Sequence, residues 1–328
     1  MAKVLITGAN GFLGSWVVKA LLAEGHEVFA LVRKTSDLSQ LEGLSCEYRY
    51  GDVTDKASLK NAFIGMDSIF HLAGLISYRT ADRQQMELVN VNGTKNVVDI
   101  VTDLRIRRLV YLSSVVAVGA GFNPQQILNE QSPYNLKNLN LGYFETKHLA
   151  ELLVLKAVKE KRIDAVILNP ATIYGPGDAK KASRKNQVRV AQGAFPFYTS
   201  GGVSVVDIED VVSGILSGWV RGRSGERYIL SGENILIKDL FSMIAHEAGK
   251  KPPRLLLPKW TLQLLGSFGD FANSHGWSTS LSREQAYTAT LYHWFDSSKA
   301  QRELDFRPRT AQISIAKSVK WMKENGLI

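Results

Sequence analysis

Cysteine is almost missing from this chain: Cys46 is the only one in 328 residues. An internal disulfide is therefore excluded, and the cysteine usage fits a reducing compartment. Long apolar runs are missing as well. No stretch reaches the ~20 residues that span a bilayer, and the short apolar run after Lys3 is broken by glycines instead of extending into a signal sequence. A cytoplasmic protein with no integral membrane segment is expected. No nucleic-acid module signature occurs, no metal is assigned, and the basic residues are scattered apart from one cluster at 180–189. The net charge of +9 suits an anionic ligand such as a phosphorylated cofactor, an acyl thioester or a membrane surface, although solubility is the plainer reading. With 45% hydrophobic residues the chain can bury a large core, as one large or two modest domains.

What is present is concentrated first at Val4-Leu5-Ile6-Thr7-Gly8-Ala9-Asn10-Gly11-Phe12-Leu13-Gly14. An apolar run that stops at a glycine cluster and passes into an amphipathic stretch reads as a buried strand, a tight turn and a helix. Such a βα opening holds a dinucleotide. Its glycines let the backbone turn and approach a pyrophosphate, which then sits on the helix N-terminus. Thr7, Gly8, Gly11, Phe12, Leu13 and Gly14 are the candidate contacts. A second strand, 27–32, ends in Arg33 and Lys34 with no carboxylate. An NAD site usually places Asp or Glu there for the ribose 2′-OH, whereas cations suit the 2′-phosphate, so NADP (NADPH) is preferred and NAD stays possible. Asp52 falls at the end of a third strand, where ligands of open α/β sheets collect. Leu72, Ala73 and Gly74 follow a fourth, and their small residues let the backbone lie near the cofactor ribose. His71 is assigned no chemistry.

A fifth strand, 108–113, ends in Ser113 and Ser114, placed where a substrate oxygen can be held. After it comes Tyr143-Phe144-Glu145-Thr146-Lys147. Four-residue spacing on a helix puts the phenol and the ammonium on one face, and of eleven tyrosines only Tyr143 has a lysine four residues on. A free phenol titrates near 10. A neighbouring ammonium and a positive nicotinamide ring are expected to draw it toward the working range of a general acid/base.

In this order and spacing the T-G-x-x-G-x-x-G turn, Ser114, Tyr143 and Lys147 resemble the extended (atypical) short-chain dehydrogenase/reductases of the NAD-dependent epimerase/dehydratase superfamily. The resemblance implies an α/β fold, a doubly wound parallel Rossmann sheet with a smaller, mainly helical C-terminal substrate lobe. It makes Ser114, Tyr143 and Lys147 the catalytic set, and Tyr143 and Lys147 cofactor contacts too. It places Asp52 and Val53 beside the adenine, and Asn90 as a support of the active-site backbone. It also sets Pro170, Thr172 and Ile173 at the nicotinamide carboxamide, within Asn169-Pro170-Ala171-Thr172-Ile173-Tyr174-Gly175-Pro176-Gly177-Asp178. Asn169 in place of Arg leans toward the dihydroflavonol-4-reductase-like branch. A homodimer through helices near 86–104 and 143–160 is the family habit. The closing segment matches as well, except that Asp305 stands where glycine is usual.

The expected division is residues 1–178 for the NAD(P)-binding domain, its sheet completed by a strand near 226–231, and 179–328 for most of the substrate lobe. The stripe Leu149, Leu152, Leu153 and Val158 reads as core, and Asp207 or Asp210 as the start of a helix. Lys180, Lys181, Arg184, Lys185 and Arg189 read as a solvated helix face or, alternatively, as a site for a substrate phosphate. Trp260, Phe268, Phe271, Trp277, Tyr287, Tyr292, Trp294 and Phe295 line an apolar pocket, form the lobe's core or make a dimer face. The leading function is an NADP(H)-dependent carbonyl reductase or alcohol dehydrogenase acting on a small apolar molecule by hydride transfer. A nucleotide-sugar epimerase or dehydratase with retained NAD(P) is the alternative, and a non-catalytic NADP sensor a third class that intact Ser, Tyr and Lys argue against.

Overall fold

The computed structural model describes residues 1–180, 184–275 and 282–328. In chain order the first half runs β1 (Lys3–Thr7), α1 (Phe12–Ala23), β2 (Glu27–Val32), β3 (Glu47–Tyr50), α2 (Lys56–Phe63) and β4 (Ser68–His71). It continues through α3 (Arg83–Met86), α4 (Gly93–Asp103), β5 (Arg108–Leu112), α5 (Gly142–Lys159), β6 (Ala165–Pro170) and β7 (Thr172–Tyr174). The second half runs α6 (Lys185–Ala191), β8 (Phe197–Tyr198), β9 (Gly202–Asp207), α7 (Ile208–Arg221), β10 (Arg227–Leu230), β11 (Glu233–Leu236) and α8 (Ile237–Glu247). Last come β12 (Leu255–Leu256), α9 (Lys259–Ser274), α10 (Arg283–Thr288), β13 (Tyr292–His293), α11 (Ser298–Leu304) and α12 (Ala311–Glu324).

Seven strands form one sheet in the order β10-β6-β5-β4-β1-β2-β3, and every pairing in it is parallel. Parallel strands need helical crossovers, and these cover both faces, so the strands are apolar throughout instead of alternating. In β1, Val4 and Ile6 join a core with Val17 and Leu21 of α1 and Ile215 of α7. Leu5, pointing the other way, joins Leu59, Val101 and Val154 of α2, α4 and α5. The chain order reverses between β1 and β4, the switch point at which a crevice opens outside the strand ends. Although β10, α7 and α11 lie beyond residue 178, Leu230, Ile215 and Leu304 belong to the same core as β1.

The remaining lobe carries helices and a small sheet, β11-β9-β13 with β7 paired to β9. Val203 and Val205 of β9 pack there against Leu240 and Ile244 of α8 and Ile315 and Val319 of α12. Asp207 caps α7 through the Glu209 amide, the first of the two candidate starts.

Two local expectations change. The helical pattern over 86–104 is not one uniform helix: Glu87–Asn92 forms a π-helical turn between α3 and α4, a feature often found at functional sites. In α5, Leu149 and Leu152 are exposed. The buried face is Tyr143, Lys147, Ala150, Val154 and Ala157, because the small residues let α5 lie close on the sheet while the leucines point away.

Candidate active site

The turn between β1 and α1 sits at the switch point. Gly8 has φ +71°, a left-handed conformation, and a Cβ there would stand 2.8 Å from the Ala73 nitrogen. A Cβ on Gly14 would stand 2.1 Å from the Gly8 carbonyl oxygen. Both glycines are thus required by close backbone approach. Two cavities of ≈ 490 and ≈ 440 Å³ meet over this turn, sharing Gly8, Gly11 and Leu72. Arg33, Asp52, Val53, Ala73 and Gly74 line the first, which runs over the ends of β2 and β3. Phe12, Leu13, Gly14, Ser114, Tyr143, Pro170, Thr172 and Ile173 line the second.

Three sequence candidates lie elsewhere. Lys34 is exposed and outside the first cavity's lining, where Ser36 stands beside Arg33 instead. The Arg33 amide donates to Ser36 Oγ at 3.1 Å, a turn contact that strand-end reasoning missed. Thr7 is fully buried beneath the lining. Its Oγ1 pairs with His71 Nδ1 at 2.8 Å and accepts from the Ala73 amide at 3.1 Å, so it holds the Leu72–Gly74 turn from below. Lys147 lines neither cavity.

His71 Nε2 pairs with Thr94 Oγ1 at 3.0 Å, and burial, with Lys147 nearby, pushes the imidazole down to about 3. It is a neutral structural bridge. The π-helical turn presents Asn90, whose Oδ1 accepts from the Leu75 amide at 2.7 Å. Its Nδ2 donates to the Leu75 carbonyl at 3.0 Å and to Thr146 Oγ1 at 3.1 Å. Asn90 therefore ties the strand-end loop to α5, the helix that carries Tyr143.

Ser114 follows β5 in extended conformation and Tyr143 opens α5, so the parallel sheet brings the two side chains into one cavity. Burial pushes the Tyr143 phenol up, Tyr78 adds to this, and a hydrogen bond with Ser114 pulls it partly back. The expected lowering by Lys147 does not occur here, since the ammonium points elsewhere. Nζ donates to the Leu112 carbonyl at 2.8 Å and reaches Tyr111 Oη at 3.5 Å. Burial pushes Lys147 down to about 8, and Glu151 opposes the shift. One helical turn on, Glu151 is buried and bound by Arg227 Nη1 at 3.2 Å and Asn169 Nδ2 at 2.7 Å. The same amide donates to the Ser114 carbonyl at 2.9 Å. On the other side, the Glu284 carboxylate of α10 accepts from the amides of Gly142 and Tyr143 at 3.0 and 3.3 Å, capping α5. Sequence reasoning missed the roles of Glu151, Glu284, Arg227 and Tyr111.

The outer wall of the second cavity combines Ile76, Tyr78, Val116 and Phe144 with Arg184, Gln187 and His293. Arg184 is not on a solvated face: it is 4% exposed. Its guanidinium lies over the Tyr174 ring at 3.8 Å, beside Asp178, and donates to the Ile173 carbonyl. Lys185 and Arg189 are exposed, and Lys181 lies outside the described residues. Among the described residues, none of the aromatics singled out between 255 and 295 lines this cavity. Phe295 is core, Trp260, Phe268 and Phe271 are exposed, and Trp277 lies outside the described residues. Also among the described residues, no helix is long and apolar enough to cross a membrane, and no cluster of metal-ligating side chains occurs.

This geometry can be set beside known proteins. A model of the 3-beta hydroxysteroid dehydrogenase/isomerase family matches residues 5–211. Sterol demethylase protein B of Methylococcus capsulatus is 33% identical over 329 residues, covering 99% of each chain. The putative dihydroflavonol 4-reductase of Synechocystis sp. is 31% identical over 331 residues, 98% of this chain and 95% of that protein. The crystal structure of gox2253 superposes with a TM-score of 0.88 at 33% identity and covers 100% of both chains. The chain belongs to the 3-beta hydroxysteroid dehydrogenase/isomerase family within the NAD(P)-dependent extended short-chain dehydrogenase/reductases.

Proposed function

We propose that the protein is an NADP(H)-dependent carbonyl reductase or alcohol dehydrogenase acting on a small, largely apolar molecule. The observation that carries this reading is the shared cavity: Ser114 and Tyr143 open onto the space that the glycine turn of α1 also lines. The residues fit a dinucleotide. A Cβ on Gly8 or Gly14 would collide with backbone around the turn, the α1 N-terminus has no side-chain cap, and the trough continues to Arg33 and Ser36. Main-chain amides at a helix start suit a pyrophosphate, and Arg33 suits a 2′-phosphate.

The nicotinamide, when bound, supplies or accepts the hydride. Tyr143 is a proton donor at neutral pH because burial keeps its phenol protonated. In reduction it gives that proton to the nascent alkoxide, and in oxidation it takes it back. The Ser114 hydroxyl donates to the same substrate oxygen and positions it. Lys147, anchored on the Leu112 carbonyl outside the lining of both cavities, keeps a positive charge beneath the site. Pro170, Thr172 and Ile173 of the second cavity would hold the carboxamide end of a bound cofactor, and Asp52 and Val53 of the first its adenine end. Ile76, Val116 and Phe144 favour an apolar body, while Arg184, Gln187 and His293 offer a polar anchor at its edge. The relative from Synechocystis, named as a reductase, supports the same direction. The exposure of Leu88, Leu149 and Leu152 on and beside α4 and α5 supports a homodimer through those helices.

The test is titration of cofactor-stripped protein with NADPH and NADH, then turnover on ketones, aldehydes and nucleotide sugars read at the reduced-nicotinamide band. Net NADPH oxidation on an apolar carbonyl is expected. Conversion of a nucleotide sugar with no net change at that band would replace the reductase with an epimerase or dehydratase.

A further inference from the structure

Of the α9 aromatics, Trp260 borders an open groove of ≈ 890 Å³ together with Leu141, Leu264, Asp270, Glu284 and Tyr287, and Phe268 and Phe271 are exposed. Trp260, Leu264 and Phe268 stand four residues apart on one face, 65%, 63% and 59% exposed. This is not a loosely placed helix. On its opposite face Leu262 and Gly269 are buried, and Gly266 packs so closely that a Cβ would stand 2.9 Å from the Cβ of Ala286 in α10. The Arg283 amide donates to Asp270 at 3.2 Å and its Nε to Ser267 at 2.9 Å, pinning the two helices together. The apolar strip is continued upstream by Leu255 and Leu256, which are half exposed in β12.

Charge says what fits this face. Lys250, Lys251, Arg254 and Lys259 are all exposed, and the sequence has no Asp or Glu from Lys250 to Gly269. A short helix with large apolar side chains on one side and cations at its start suits a membrane interface, while the groove beside it also carries the Asp270 and Glu284 carboxylates. Each such cation strengthens binding to an anionic surface roughly fivefold. A second copy of the same face is disfavoured, because an isologous contact would bring like cations together. We propose that the α9 face, Trp260, Leu264 and Phe268 with Arg254 and Lys259, docks the protein peripherally on an anionic lipid surface. Nothing in this depends on which reaction the cleft catalyses.

The test is flotation of the full-length protein with vesicles of equimolar phosphatidylglycerol and phosphatidylcholine, or of phosphatidylcholine alone. The wild type is expected to bind the anionic vesicles at least about tenfold more tightly. Leu264→Glu/Phe268→Glu should lower that binding about tenfold or more with an unchanged circular-dichroism spectrum, and Arg254→Glu/Lys259→Glu should erase the preference for anionic lipid. A readout independent of those variants' folding is a blue shift of tryptophan emission on anionic vesicles that is absent in Trp260→Phe. No binding to either vesicle overturns the proposal, as does undiminished binding by Leu264→Glu/Phe268→Glu. Sedimentation velocity showing that this double variant dissolves an assembly of the wild type, with no vesicle binding, assigns the face to a second copy and also overturns it.

Discussion

The side-chain amide of Asn169 donates to the main-chain carbonyl of Ser114 at 2.9 Å, and its second hydrogen goes to the Glu151 carboxylate at 2.7 Å. One side chain at the end of β6 therefore fixes the strand end that presents Ser114 to the helix that presents Tyr143. Asn169→Leu leaves the Ser114 carbonyl with the Ala117 amide as its remaining donor and removes one donor from a buried carboxylate. Losing such a partner costs about 1–3 kcal/mol, so the urea midpoint should fall. The turnover number should fall with it, while NADPH affinity changes little because the glycine turn is untouched. An unchanged midpoint would mean that Ser114 is held by its neighbours alone.

Tyr143→Phe isolates the proton from the packing. The ring meets Tyr78 edge-on at 6.2 Å and Phe144 at 6.1 Å, and phenylalanine preserves both contacts. Turnover should drop by about two to four orders of magnitude, the usual worth of a positioned general acid. Cofactor affinity by fluorescence titration should stay within about threefold of the wild type. Wild-type turnover in this variant would take the proton transfer away from Tyr143.

How much of this was legible in the sequence depends on how local each signal is. The turn at Gly8, Gly11 and Gly14 and the pairing of Tyr143 with Lys147 depend on spacings of three and four residues, which strand, turn and helix geometry convert directly into position. Asp207 as a cap and 227–230 as a strand were readable for the same reason. The supports were not, because their partners are far apart in the chain: Arg227 and Glu151 by 76 residues, Glu284 and Gly142 by 142. Nothing local in Glu284 says that it caps another helix. Arg184 sits in a run of cations that composition reads as solvated, yet it is buried over Tyr174. The reverse error occurs in α5, where Leu149 and Leu152 look like core by residue type and are exposed. Lysine spacing showed that Lys147 shares a face with Tyr143, but not that its ammonium is taken by the Leu112 carbonyl.

Arg33 should decide the cofactor. It lines the trough at the end of β2 beside Ser36. Its guanidinium can pair a 2′-phosphate through two donors, which a ribose hydroxyl cannot exploit equally. Arg33→Ala is expected to weaken NADPH roughly tenfold or more, as charged hydrogen bonds are worth about 1.5–3 kcal/mol, and to leave NADH nearly unchanged. Competitive titration with both nucleotides measures the difference. Equal losses would assign Arg33 to the loop alone, and Lys34→Ala, altering an exposed side chain outside the trough, is the control expected to change neither.

The last prediction concerns acid stability. His71 is fully buried between Thr7 and Thr94, and its imidazole is held down to about 3 by desolvation, against an ordinary value near 6.5. Between those values the unfolded chain binds a proton that the folded chain refuses. The stability that depends on a neutral His71 is therefore complete above about pH 6.5 and is lost progressively as the pH falls toward 3, at up to about 1.4 kcal/mol per pH unit. His71→Asn removes the titrating group. Urea unfolding at a series of pH values from near neutral into the acid range should show a steeper loss in the wild type than in His71→Asn, although the variant starts less stable because its shorter side chain cannot span both threonines. Parallel slopes would mean that His71 accepts its proton inside the folded protein. The bridge that holds the Leu72–Gly74 turn under the cofactor trough would then be open to water.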